Sequence, residues 1–207
     1  MLELSRYIQT SQNVSVWAAS PVHRITIVWR IIWQILLYYE LTPTNKYGVY
    51  LKASVYIETS FFSYLTARPS NDLRAMANQS VTSEWWETQR FNYSVFASDL
   101  VIAEAGKGHP EAAQRRLAVI ADLPLLQISA EVKVLAQALI ENHALPPKAE
   151  ADAFHVAIAV VNGIEYLLTW NCTHIANAHT RPKIEASCRA LGYEPPVICT
   201  PLELTEE

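Results

Sequence analysis

From residue 53 onward the chain alternates short β-rich runs with stretches of helical pattern, and this alternation constrains its fold more than any other feature. Val55-Tyr56-Ile57 reads as a buried strand stopped by Glu58-Thr59-Ser60, and Tyr93 to Ala97 as a second that ends at Ser98-Asp99, where a helix should start. Leu125 to Ile128 is a third. Ser129 then caps a helix running to about Asn142, with Glu131 in the first turn, where the helix dipole favours an acid. Pro147 opens and Gly163 closes an Ala-rich helix from Lys148 to Asn162. Tyr166 to Thr169 and Val197 to Cys199 complete the strands. Strands separated by single helices predict an α/β fold, a parallel sheet with helices on both faces.

Residues 1–52 read differently. After a polar lead, Ile25 to Tyr39 is apolar except for Thr26, Arg30 and Gln34, which recur every four residues and form one narrow polar stripe on a helix. A bilayer span needs about 20 apolar residues. This run is shorter and carries a cation at its middle, so membrane contact through residues 25–39 is not favoured over a docking helix or an upstream extension. The long polar lead and the lack of a small-residue cleavage site also argue against a signal peptide. Loop composition from Leu41 to Gly48 sets the expected boundaries: an extension at 1–52, an α/β domain at 53–202 and a tail at 203–207.

Composition narrows the function. A chain of 207 residues with 51% hydrophobic and 17% charged residues can bury a full core and is not a disordered tail. Cys172, Cys188 and Cys199 are odd in number and lack C-x-x-C spacing, against a disulfide scaffold or thiolate zinc site and in favour of a reducing cytoplasm. A net charge of -4 argues against nonspecific coating of duplexes, which needs many basic contacts, while a local basic rim can still hold a short RNA.

Open parallel sheets bind ligands beyond the carboxyl ends of their strands. Four residues stand there: Glu58 after the first strand, Glu104 in the helix after the second, Asp152 early in the helix opened by Pro147, and Asn171 after the fourth. Three carboxylates and an amide are hard oxygen ligands, the chemistry of Mg²⁺ or Mn²⁺. Asp152 lies in a helix apolar almost all round, Ala151 to Val160, and needs a partner to offset its desolvation. A metal would serve, and so would the dipole of the helix N-terminus. Lys107 is a candidate ion partner for Glu104, and both Lys107 and His155 are candidate substrate contacts. Thr59, Ser60 and Thr169 would orient the carboxylates and their water.

Glu58-Thr59-Ser60, the Ser98 to Glu104 segment, Asp152-Ala153-Phe154-His155 and Leu168-Thr169-Trp170-Asn171 together resemble the PIN domain family, most of all the VapC-like toxins of type II toxin–antitoxin systems. The resemblance covers about residues 53–202. It implies a compact α/β/α sandwich and an endoribonuclease in which Glu58, Glu104 and Asp152 hold Mg²⁺ or Mn²⁺ and Asn171 completes the catalytic set. It also implies cleavage leaving a 5′-phosphate, frequent homodimers and silencing by a cognate antitoxin. Glu58 stands where the family usually has Asp, and Asn171 stands where the fourth acid is usually Asp. Both departures weaken divalent binding, which keeps open a PIN-like module of reduced activity that binds RNA or a protein partner. Arg68, Lys107, Arg115, Arg116, Lys148, Arg181 and Lys183 are candidates for guiding RNA phosphates. A doubly wound phosphatase or nucleotide-binding enzyme ranks low, because the chain has no D-x-D after its first strand and no glycine-rich phosphate loop.

Overall fold

A computed structural model describes residues 52–205. The apolar run Ile25 to Tyr39 lies outside the described residues. Among the described residues, no helix is long and apolar enough to cross a membrane. In chain order the elements are β1 (Ser54–Ile57), α1 (Thr59–Thr66), α2 (Leu73–Glu84), β2 (Ser94–Ser98), α3 (Asp99–Ala105) and α4 (Pro110–Ile120). They continue with β3 (Leu125–Leu126), α5 (Ala130–Glu141), α6 (Glu150–Val161), β4 (Tyr166–Leu168), α7 (Arg181–Ala190) and β5 (Val197–Cys199). A π-helical turn, Trp85–Gln89, and a 3₁₀ turn, Arg90–Asn92, bridge α2 to β2.

The five strands form one parallel sheet in the order β3-β2-β1-β4-β5. Right-handed crossovers on a strand order that reverses at β1 place α1 to α4 on one face and α5 to α7 on the other. The packing agrees: α1 meets α2, α3 and α4, and α5 meets α6 and α7. Covered on both sides, β1 and β4 are nearly continuous in apolar residues, with Val55, Tyr56, Ile57, Leu167 and Leu168 buried. Phe61, Trp85 and Tyr93 build an aromatic wedge, and the indole of Trp85 donates to the Leu204 carbonyl at 2.6 Å, so the C-terminal turn closes over it.

Serine hydroxyls start two of the helices. Ser98 accepts from the Val101 amide and Ser129 from the Val132 amide, each satisfying a donor the helix itself cannot pair. The expected helix from Lys148 begins two residues late, because the Ala149 amide bonds the Pro146 carbonyl in a 3₁₀ turn (Pro147–Ala149) before α6 starts. The strand expected over Leu125 to Ile128 holds only two residues, at the sheet edge. Among the described residues the three cysteines are free, with Cys188 and Cys199 buried and their thiols pushed up to about 11 and about 12 mainly by burial.

Candidate active site

Strand order reverses between β1 and β4, and the chain leaves the carboxyl ends of these two neighbours in opposite directions, which opens a crevice there. Glu58 ends β1 and is the cap residue of α1. Its Oε2 accepts from the Ser60 amide at 3.0 Å, from the Ser60 hydroxyl and from the Thr169 hydroxyl at 2.8 Å. Its Oε1 receives no hydrogen bond, and His155 Nε2 lies 3.9 Å from it. Glu104, from the far end of α3, is arranged alike. Its Oε2 accepts from the Thr59 hydroxyl at 2.5 Å and from His155 Nε2 at 2.9 Å, and its Oε1 receives none. Thr59, Ser60 and Thr169 thus each hold a carboxylate oxygen.

Behind Glu104 runs a buried chain that the sequence did not disclose. A carboxylate can only accept, so His155 Nε2 carries a proton. In a neutral ring Nδ1 then accepts from the Tyr56 hydroxyl at 2.7 Å, and Tyr56 accepts from Ser98 at 2.8 Å. Burial above all keeps the Tyr56 phenol protonated. Burial alone would raise the Glu104 carboxyl, but its hydrogen bonds from His155 and Thr59 win and hold it below the ordinary value. His155, expected as a substrate contact, is 1% exposed with both ring nitrogens engaged, so it faces Glu104 and not a bound strand. Lys107 makes no ion pair with Glu104. Its backbone caps the end of α3, and its charge acts on Glu104 only from a distance.

Asp152 arrives from α6 on the opposite side. Oδ1 accepts from the Asn171 amide at 2.9 Å and Oδ2 from His174 Nδ1 at 2.7 Å, so protein groups supply the partner its apolar helix demands. Burial still dominates, and the Glu58 charge adds to it, raising the Asp152 carboxyl above its usual value. Asn171 is held from both sides. The His174 backbone N–H donates to Asn171 Oδ1 at 3.1 Å, which fixes the amide orientation and turns its NH₂ toward Asp152. The amide oxygen therefore closes a turn. His174 is absent from the sequence-based set. Its signal, a polar residue three positions after an Asn in a strand-end turn, is common in loops and points to no chemistry by itself.

Ligand atoms of Glu58, Glu104 and His155 lie within 4.8 Å of one another, the one such group among the described residues, and Asp152 stands outside it. With His155 Nε2 donating to Glu104, the oxygens left for a cation are the two glutamate Oε1 atoms. Of the expected phosphate guides, Arg181 is committed to Glu203, with both terminal nitrogens at 3.2 Å from its carboxylate.

No protein-family model matches the chain, and no curated protein matches it. Among solved structures it is similar to VapC20 of Mycobacterium tuberculosis, a sarcin-ricin loop cleaving toxin, at 18% identity over 60% of this chain and 95% of that one, with a TM-score of 0.48. It is also similar to VapBC2 of Rickettsia felis bound to a DNA fragment from their promoter, at 15% identity over 70% of this chain and 97% of that one, with a TM-score of 0.47.

Proposed function

We propose that this chain is a metal-dependent endoribonuclease of the PIN domain type, acting in the cytoplasm as the toxin of a toxin–antitoxin pair. One observation carries the nuclease reading. Glu58 and Glu104 each have one oxygen saturated by protein donors and the other unpaired, and both stand at the switch point of the sheet. Saturating one oxygen fixes the direction in which the other points, the usual role of groups behind metal ligands. The donor set is hard oxygen and suits Mg²⁺ or Mn²⁺. Glu58 and Glu104 would hold the ion with Asp152 adding charge across the crevice, and the ion when bound would lower the pKa of water and brace negative charge on phosphate.

The chain's own residues set the stage for that chemistry. Thr59 and His155 aim Glu104, Ser60 and Thr169 aim Glu58, and Tyr56 keeps the His155 ring from turning. His174, oriented through Nδ1 by Asp152, keeps Nε2 free of hydrogen bonds within the protein on a ring that is 21% exposed. It can donate to or accept from an RNA base or phosphate. The toxin role and its cognate antitoxin rest on the motif resemblance.

The weakened, RNA- or protein-binding module is favoured by one feature, the commitment of both polar ends of the Asn171 amide within the protein. Cleavage of RNA by the full chain, titrated with Mn²⁺ and run beside Glu104→Gln, separates the two. We expect metal-dependent products with 5′-phosphate ends from the parent and none from the variant. RNA binding without cleavage at any metal concentration would leave only the module, and cleavage independent of metal would discard the proposed chemistry.

A further inference from the structure

A cavity of 330 Å³ lies between α1 and α4, lined by Ser63, Thr66, Arg68, His109, Arg115 and Arg116, with Glu111 at its edge. We propose that it is a backbone-phosphate subsite for the RNA strand cleaved at Glu58 and Glu104, an assignment that rests on the nuclease reading above.

Position comes first. Helix α1 starts beside Glu58, its Thr59 holds Glu104, and Ser63 and Thr66 follow on the same helix by four and seven residues. At about 1.5 Å per residue the cavity begins roughly 6 Å along the helix from Thr59 and reaches roughly 10 Å. The cavity is therefore placed to receive a backbone phosphate close to the scissile bond. The other wall is fixed to the same machinery. Arg116 bonds the carbonyls of Ala105 at 2.9 Å and Lys107 at 2.5 Å, which close the helix that carries Glu104.

Charge and free donors decide what the cavity takes. Three guanidinium groups and one imidazole face a single carboxylate, in a chain whose net charge is -4. Arg115 spends only Nε, on the Thr66 carbonyl at 2.9 Å, so both of its terminal nitrogens lack hydrogen bonds, and Arg116 keeps one free. These half-buried side chains are already held, and little rotamer freedom remains to be lost on binding. Arg68 is paired to Glu111 at 2.9 Å with side chains 78% and 62% exposed, a contact weak enough to yield to a doubly bonded phosphate. The crevice itself carries three carboxylates and repels a polyanion. A strand can thread it only if cations beside it supply the attraction, and this cleft places them within two helical turns of Glu104.

The test is binding of a labelled single-stranded oligoribonucleotide to the full chain in EDTA, followed by anisotropy across a salt series. Each phosphate contact removed should lower the slope of log K against log salt by about 0.7. We expect that loss from Arg68→Gln, the same again from Arg115→Gln, and a uniform loss of affinity across oligonucleotide sequences. Arg189→Gln, on the far side in α7, should leave the slope as it is. Arg115 also ties α4 to α1, so the Arg68→Gln variant, which touches only an exposed pair, is read separately and decides the matter if the Arg115 variant melts early.

Unchanged slopes in a parent that cleaves RNA would overturn the subsite and leave the nuclease reading standing. Reduced slopes in a parent that binds but never cleaves would keep the subsite and remove the nuclease. A parent that binds no RNA overturns both. Variants that retain the RNA slope but lose binding to polyglutamate would reassign the cleft to an acidic protein segment.

Discussion

The two sides of the crevice use the same functional group in opposite ways. On the glutamate side, protein donors saturate one oxygen of Glu58 and of Glu104 and leave the other open. On the aspartate side, the Asn171 amide and the His174 ring take one oxygen each of Asp152. A carboxylate becomes a ligand through what its neighbours leave free, and by that measure the glutamates are the proposed ligands and Asp152 the proposed organiser. Burial tells the same story: hydrogen bonds pull the Glu104 carboxyl down despite burial, whereas burial and the Glu58 charge push Asp152 up.

The largest effect should come from the glutamate side. Glu58→Gln or Glu104→Gln replaces a negative ligand by an amide of the same shape and should reduce metal-dependent cleavage to background, with far-ultraviolet dichroism unchanged. Asp152→Asn should keep measurable Mn²⁺ binding in calorimetry while losing activity. If Asp152→Asn abolishes metal binding and Glu104→Gln does not, the two sides have been assigned the wrong way round.

Next in size is the support behind Glu104. His155→Ala removes the donor that aims its carboxylate and should cost about 10–100-fold in Mn²⁺ affinity or activity. Tyr56→Phe keeps the ring volume but strands His155 Nδ1 and the Ser98 hydroxyl. It should cost about 1–3 kcal/mol in denaturant unfolding and a smaller share of metal affinity. His155→Gln, which can still donate from its amide to Glu104, should recover part of the loss. A glutamine no better than alanine would mean that His155 serves packing alone.

Asn171→Asp probes the aspartate side from within. It trades an N–H donor 2.9 Å from Asp152 for a second carboxylate, while its other oxygen can still accept from the His174 amide. Without metal two negative oxygens meet, so the melting temperature should fall. Added Mn²⁺ should recover it, because a cation can bridge the pair. A variant as stable as the parent in EDTA, or one that Mn²⁺ fails to rescue, would show that this side has no affinity for a cation.

What could be read in advance follows the range of the interactions. Strand ends, the serine caps and the placing of Glu58, Glu104 and Asp152 at the carboxyl edge were legible because period and capping act over a few residues. The run Leu73–Glu84 was not read as a helix, because it buries only Thr82 and carries no apolar stripe. Tyr56, Ser98 and His155 meet across 42 and 99 positions, and no local pattern announces such a contact. The orientation of the Asn171 amide had no sequence signal, since only the His174 amide decides which way it points. Arg115 and Arg116 stood among seven candidate phosphate guides, and only the tertiary structure shows two helices holding them against a cavity.

The smallest effect concerns a carboxylate whose oxygens are both taken by protein donors, and it calibrates the other two kinds. Glu203 accepts from Arg181 through both oxygens and from the Thr200 amide and hydroxyl. Burial raises its carboxyl, but these bonds together outweigh burial and hold it below the ordinary 4.5. A folded-state pKa below the unfolded one gives stability that is present above about pH 4.5 and is lost as the pH falls through the depressed value. Glu203→Gln should therefore melt lower than the parent at neutral pH, with the gap closing in more acidic buffer, and metal-dependent cleavage should be untouched. A gap that stays constant down through the acidic range would mean that the Arg181 pair contributes shape and not charge, since the protonated carboxyl would then serve as well as the ionised one while the amide does not.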